Sequence, residues 1–172
     1  MKEYPQNWFE QSLENWNQGG NTIPNAPKID ADPPSVERCQ EQIRQPNTPE
    51  DKAIIRAGWE LFGATQVYNS TSVIMAMSGV DGMCRPLAYQ AFVFVEGQFA
   101  GTLSPKPMNS RLDGDIERIF LINSDSILVE FKRYSKTDPL CCSSAISRVS
   151  FAIEPQEAKP VLIPLSVTTE NK

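Results

Sequence analysis

The sequence predicts an α+β protein: a mostly antiparallel β-sheet meander with a helix packed on one face and a proline-rich N-terminal arm. Three observations carry this. From Gln66 onward apolar residues recur at period two. Thr48-Pro49-Glu50-Asp51 lays out a capping hydroxyl, a first-turn proline and two first-turn acids. Finally, Ala91-Phe92-Val93-Phe94-Val95 and Gln98-Phe99-Ala100-Gly101-Thr102-Leu103 flank Glu96-Gly97, the pattern of a tight hairpin. Its first strand is apolar on both sides, as in a strand covered on both faces, and so belongs at the centre of the sheet.

In chain order, residues 1–48 form the arm. Trp8, Phe9, Leu13 and Trp16 fall near helical spacing and predict a short amphipathic helix stopped at Gly19-Gly20. Ile23 to Pro34, with Pro24, Pro27, Pro33 and Pro34, reads as an extended connector. A second helix is expected over 35–45, where Val36, Cys39 and Ile43 share a face and turn Cys39 toward the body.

The core domain is read as 49–154. Its helix runs from about Pro49 to Phe62 and closes at Gly63, with Ala53, Ile54, Ala57 and Leu61 in one stripe and Trp59 beside it. Strands are expected at about 66–68, 72–77, 89–95, 98–103, 116–122, 126–134 and 145–153, joined as one sheet of five to seven strands. Gly101 marks a bulge or a close backbone approach. The proline-containing tail, 155–172, suits a sheet edge and not a central strand, because proline cannot donate to a ladder.

Composition narrows the function. The 172 residues carry 16 Lys and Arg against 21 Asp and Glu, a net charge of -5, so the chain lacks the cationic footprint of a nucleic-acid binder. No apolar run approaches the roughly 20 residues of a membrane-spanning helix. Histidine is absent, which removes the usual near-neutral base and the commonest metal ligand. Ser78-Gly79 sits outside any serine-hydrolase motif. Asp113-Gly114-Asp115 and Asp125 do not match the spacing of a calcium loop and read as turns with solvated acids. No catalytic residue, cofactor or metal is therefore expected.

Four cysteines, Cys39, Cys84, Cys141 and Cys142, point to disulfides and an oxidising compartment. Cys39 and Cys84 are each expected to join one of the adjacent pair, since a bond between neighbours closes a strained ring. Met1-Lys2-Glu3-Tyr4-Pro5-Gln6 does not read as a signal peptide and, taken literally, gives a cytoplasmic chain. The two readings are reconciled by an extracytoplasmic protein whose leader lay upstream and was removed.

Gly58-Trp59-Glu60-Leu61-Phe62-Gly63, the run Ala76 to Pro86, Tyr89-Gln90 with Phe92 to Val95, Gly97, Gly101-Thr102, and Asp138-Pro139-Leu140-Cys141-Cys142 together resemble the LppP/LprE lipoprotein family. The resemblance covers roughly 53–153 and implies a small bacterial envelope protein; similar domains are secreted in cyanobacteria. It supplies no catalytic residues. The expected function is thus a non-enzymatic envelope or secreted module that binds an unknown protein or small ligand, in an oligomeric state the sequence does not name. Its surface is expected at the corner of Asp81, Arg85, Arg111 and Asp138, with Trp59 or Tyr89 nearby. The alternative is a hydrolytic or thiol-redox enzyme using carboxylates or the Cys141-Cys142 pair.

Overall fold

A computed structural model describes residues 8–20, 22–30 and 33–172. The first seven residues of the predicted arm and positions 21, 31 and 32 lie outside the described residues. A 3-10 turn at Trp8–Glu10 is followed by α1 (Pro33–Arg38), a second 3-10 turn at Gln40–Gln42, and α2 (Pro49–Arg56). The strands are β1 (Glu60–Leu61), β2 (Gln66–Tyr68), β3 (Thr71–Met77), β4 (Gly79–Val80), β5 (Pro86–Leu87), β6 (Gln90–Val95), β7 (Gln98–Thr102), β8 (Ile116–Asn123), β9 (Ser126–Arg133), β10 (Ala145–Gln156) and β11 (Lys159–Asn171).

These strands form an α+β fold that is mainly β, but they are split between two sheets where the sequence reading expected one. Sheet A has the order β1-β3-β6-β7, with β2 on the same edge of β3 as β1. Sheet B is the meander β11-β10-β9-β8, and β4 and β5 make a separate ribbon. The break falls between β7 and β8, where Pro105 and Pro107 interrupt the pairing pattern.

The doubly apolar strand explains the layering. Val73, Ala91 and Val93 of sheet A meet Ile127, Val129, Phe131, Val149 and Phe151 of sheet B, forming the inter-sheet core. The opposite side chains, Ile74, Ala76, Phe92 and Phe94, pack with Ile54 of α2, Trp59 and Leu61. Each face of sheet A therefore has its own apolar cover. Glu96 and Gly97 both take positive φ, 50° and 78°, the conformation of a two-residue turn whose twist suits a hairpin.

Several helical expectations shorten. The helix at 49–62 ends at Arg56, because Gly58 adopts φ 98° beyond the Ala57 cap and reverses the chain into β1. Its start is as predicted: Thr48 accepts a hydrogen bond from the Asp51 backbone N–H at 3.1 Å. The expected helix at Trp8 to Trp16 is only a 3-10 turn, and Trp8 and Phe9 leave it to enter the inter-sheet core against Phe131. The second helix begins at Pro33 and yields to a 3-10 turn after Cys39, which is buried as expected. The tail 155–172 belongs mostly to β11, an edge strand in which Pro160 and Pro164 sit opposite Pro155 and Phe151.

The two sheets are laced at the seam where β7 lies beside β11. Asn17, from the arm, donates its Nδ2 to the carbonyls of Thr102 and Leu162, both at 3.1 Å, and accepts the Thr102 N–H at 2.9 Å. Its amide serves as a rung between two strand edges. Gly101 leaves the space: a Cβ there would lie 2.4 Å from the Asn17 Cγ, which is the close approach the sequence reading anticipated. A register shift also falls at this position between β6 and β7.

Replacing Asn17 with Ala would leave the buried Thr102 N–H and the Leu162 carbonyl without this partner, while the Thr102 carbonyl keeps the Trp16 indole. At about 1–3 kcal/mol for such a group, with partial compensation by water, Asn17→Ala should lower unfolding stability by about 2–4 kcal/mol in urea titrations.

Candidate functional site

The second seam lies where β2 approaches β8. There the Thr71 hydroxyl donates to the Ser124 carbonyl at 2.6 Å, in the turn after β8. At the other end lies a cavity of about 210 Å³. Phe62, just past β1, Met75 of β3 and Ile116 of β8 contribute from the sheets, Pro86 and Tyr89 from the segment leading into β6, and Ser110 and Asp115 from the β7–β8 connection. Gln42 completes it from the second 3-10 turn.

Local chemistry fixes each wall. Residues 43 and 44 pair with the outer edge of β1, through an Ile43–Phe62 bridge and an Arg44 N–H donated to the Leu61 carbonyl at 2.7 Å. Arg44 then grips Asp51 through two 2.8 Å hydrogen bonds, which hold that carboxyl below its usual range. Tyr89 bridges to Met108 and donates its hydroxyl to the Gly114 carbonyl at 2.7 Å. Burial, with the Asp115 and Asp113 charges adding, pushes that phenol well above its ordinary range and keeps it neutral.

Ser110 and Asp115 set the polar character. Ser110 is 4% exposed, and its Oγ has no hydrogen-bond partner among the described residues. The same holds for Oδ1 of Asp115, while Oδ2 lies 4.0 Å from the Lys132 ammonium. Burial raises the Asp115 carboxyl; Lys132 and Arg85 act against the rise, and Glu117 adds to it. The expectation of solvated acids at 113–115 is thereby corrected. Asp113 accepts the Asn109 N–H at 2.8 Å, and Asp115 is half-buried because Gly114 presses on the Lys132 carbonyl, where a Cβ would sit only 2.1 Å away.

A larger cavity of about 350 Å³ lies along the arm between Trp8, Trp16 and Pro105. Both indole N–H groups there are already engaged, by the Met108 sulfur at 3.4 Å and the Thr102 carbonyl at 2.9 Å. Of its remaining polar side chains, Gln11, Ser12 and Glu14 are exposed to water, and half-buried Asn15 is engaged by the Gln18 side chain and the Asn17 N–H. It offers no buried polar group in need of a ligand, so the smaller cavity is the better candidate.

The predicted corner is brought together only in part. Asp81 accepts the Met83 and Arg85 N–H groups at 2.9 Å each and the Arg85 Nε at 2.7 Å, so it shapes its own loop. Arg111 lies 4.6 Å over the Tyr134 ring and donates to the Asp138 carbonyl at 3.0 Å. The Asp138 carboxylate, in a residue 6% exposed, accepts from the Ser135 N–H, the Ser144 N–H and the Ser144 hydroxyl. It organises the β9–β10 loop and is no surface acid. Trp59, 2% exposed, is on the far face of sheet A, where its indole donates to the Pro24 carbonyl at 2.8 Å. Tyr89, also 2% exposed, is a cavity wall and not a surface ring.

The disulfide pairing is corrected as well. Cys39 bonds Cys84, and Cys141 bonds Cys142. Cys39 is buried where α1 meets β4, beside Cys84, whereas the β9–β10 loop carries the adjacent pair outward into solvent. The Cys39–Cys84 bond ties the turn that supplies Gln42 to the loop that leads into Pro86.

With this geometry in view, residues 66–156 match the LppP/LprE lipoprotein family. The chain belongs to that family. No curated protein matches the chain, and no solved structure matches it. LppP/LprE membership associates the protein with the bacterial envelope, and no described helix is long and apolar enough to cross a membrane. The matched span runs from β2 to the end of β10, so it includes all the cavity-lining residues except Gln42 and Phe62. Among the described residues no group of three metal-ligating side chains occurs.

Of these walls, sequence reasoning singled out only Tyr89 as a binding residue. Met75, Ser110 and Ile116 carry no motif, and their meeting depends on the two sheets facing each other.

The exposed Cys141–Cys142 bond should be reduced first by a graded dithiol, with Cys39–Cys84 surviving. Differential alkylation and peptide mapping should recover labelled 141 and 142 alongside an intact 39–84 bridge; any peptide joining Cys39 or Cys84 to the adjacent pair would contradict the pairing.

Proposed function

We propose that this LppP/LprE family member is a non-enzymatic module of the extracytoplasmic envelope, periplasmic or secreted, that binds a small ligand in the 210 Å³ cavity at its open seam. The observation that carries this reading is that two residues lining the cavity, Ser110 and Asp115, each keep a buried oxygen, Oγ and Oδ1, without a partner among the described residues. A buried polar atom without a partner costs about 1–3 kcal/mol. A fold that keeps two of them beside one apolar cavity gains that back when a ligand supplies the missing hydrogen bonds. Apolar walls with a few convergent polar groups are the usual make-up of a small-molecule site.

The competing enzymatic readings draw less support. A hydrolase needs two acids at a productive separation, and in the cavity Asp115 stands as the single carboxylate. The thiol-redox alternative rests on the exposed Cys141–Cys142 bond, which does not line the cavity. An oxidising envelope agrees with both disulfides being formed.

Protein-observed NMR with a library of one-ring fragments provides the test. Binders should shift the amide signals of Ser110, Asp115 and Ile116 and the Met75 methyl together, and Ser110→Phe, which fills the cavity, should abolish those shifts at least tenfold in affinity. Shifts that cluster elsewhere, or that persist in Ser110→Phe, would overturn the assignment.

A further inference from the structure

We infer that the chain carries a second site on its outer surface, a receptor for a phosphate group built from Arg85, Arg111, Lys132 and the Tyr134 ring. None of these four residues lines the cavity, so the inference does not rest on the ligand reading above.

Backbone pairing brings the two arginines together. The Tyr89 N–H donates to the Met108 carbonyl at 2.8 Å, the Met108 N–H returns to the Tyr89 carbonyl at 3.0 Å, and the Ser110 N–H reaches the Pro86 carbonyl at 3.2 Å. Residues 86–89 therefore run antiparallel beside 108–110, and Arg85 and Arg111 extend the two segments at the same end. Lys132 and Tyr134 come from a third segment, the end of β9. The Arg111 guanidinium lies 4.6 Å over the Tyr134 ring. Burial and the Asp115 charge raise the Tyr134 phenol, and Lys132, Arg111 and Arg85 all oppose that rise. Three cations from three stretches of chain thus converge on one ring.

Like charges on neighbouring strands repel, and the acids nearby leave much of this cluster unclaimed. Asp81 is spent on the Arg85 Nε and on two backbone N–H groups of its own loop. Asp115 stays 4.0 Å from the Lys132 ammonium, beyond hydrogen-bond reach. A guanidinium carries five N–H donors and an ammonium three. Arg85 commits only its Nε and Arg111 only its Nη2, to the Asp138 carbonyl. The Lys132 ammonium and the Tyr134 hydroxyl make no hydrogen bond among the described residues. All three cations are half-exposed, open to a ligand from solvent.

The arrangement selects a shape as well as a charge. A carboxylate holds its two oxygens in one plane and is satisfied by a single arginine fork. Donors approaching from three segments suit a tetrahedral group, whose oxygens point to different partners. A soluble phosphate ester and a phospholipid headgroup both offer that chemistry.

The test titrates the whole chain at low salt with inorganic phosphate, glycerol phosphate and acetate, and sediments it with vesicles of phosphatidylglycerol or phosphatidylcholine. Phosphate should bind more tightly than acetate. Arg85→Gln and Arg111→Gln should each weaken phosphate by roughly tenfold, the worth of one hydrogen bond to a charged group. Arg118→Gln, which removes an exposed cation from β8, should leave the affinity unchanged. If Arg111→Gln fails to fold, Arg85→Gln carries the comparison, since Asp81 keeps its two backbone hydrogen bonds. Sedimentation with phosphatidylglycerol alone, lost in Arg85→Gln, would assign the group to a lipid headgroup; binding of the free phosphates without sedimentation would assign it to a soluble ester. Equal affinity for phosphate and acetate, or an equal loss in Arg118→Gln, would reduce the cluster to general charge attraction and overturn the site. Absence of binding by every phosphate compound would overturn it too.

Discussion

At the seam between β7 and β11 one amide side chain hydrogen-bonds to both sheets. Asn17 is carried by an arm that has little regular structure of its own, yet it offers one strand edge a donor and an acceptor and the other edge a donor. Sheet edges that face each other across a sandwich do not share a ladder, and their outward N–H and C=O groups need other partners. Asn17 provides them for Thr102 and Leu162, and Gly101 makes room for it. Trp16 adds a donor to the same Thr102 carbonyl. The aromatic residues of the arm then follow into the inter-sheet core, with Trp8 and Phe9 against Phe131 and Trp16 against Phe151.

Lacing one seam leaves the other to be closed by different means. Its lower end is held by Thr71 on the Ser124 carbonyl. Its upper end is spanned by the segment at Gln42, which α1 and the Cys39–Cys84 bond hold in place. Beneath that span the apolar edges of the sheets are not in full contact, and the β7–β8 connection inserts Ser110 and Asp115 there. The candidate site thus follows from the architecture: two sheets drawn together on one side part slightly on the other. The cross-link itself belongs to the main apolar cluster, with Cys39 buried and Cys84 packed against it, and holds the span from behind. For a protein associated with the envelope, a disulfide is a durable way to hold such a segment.

Much of the fold was legible because its strands alternate cleanly. The alternation of Ile127, Val129 and Phe131 and of Ala145 to Ile153 specifies which face is buried, and the Glu96-Gly97 turn specifies a hairpin. The β10–β11 hairpin was illegible for a corresponding reason. Its turn places Glu157 and Ala158 at φ 51° and 65°, with no glycine or asparagine to mark it, and the prolines around it suggest a tail. Helix ends were misjudged where Gly58 acts as a terminator and not as a weak interior residue. The cavity was least legible. Asp115 looks like any turn acid until the Gly114 contact with the Lys132 carbonyl buries it, and Ser110 has no sequence context that distinguishes it. Cysteine pairing failed similarly, because proximity of Cys39 to Cys84 depends on α1 docking beside β4.

Whether the open seam holds a small molecule in its native setting is read most directly by mass spectrometry of the folded protein, isolated from bacterial envelope or culture medium without organic solvent. A non-covalent adduct is predicted on the native chain, released on denaturation, and missing from Ser110→Phe prepared in the same way. An identical adduct on both proteins, or bare mass for both, would contradict a ligand site at this seam.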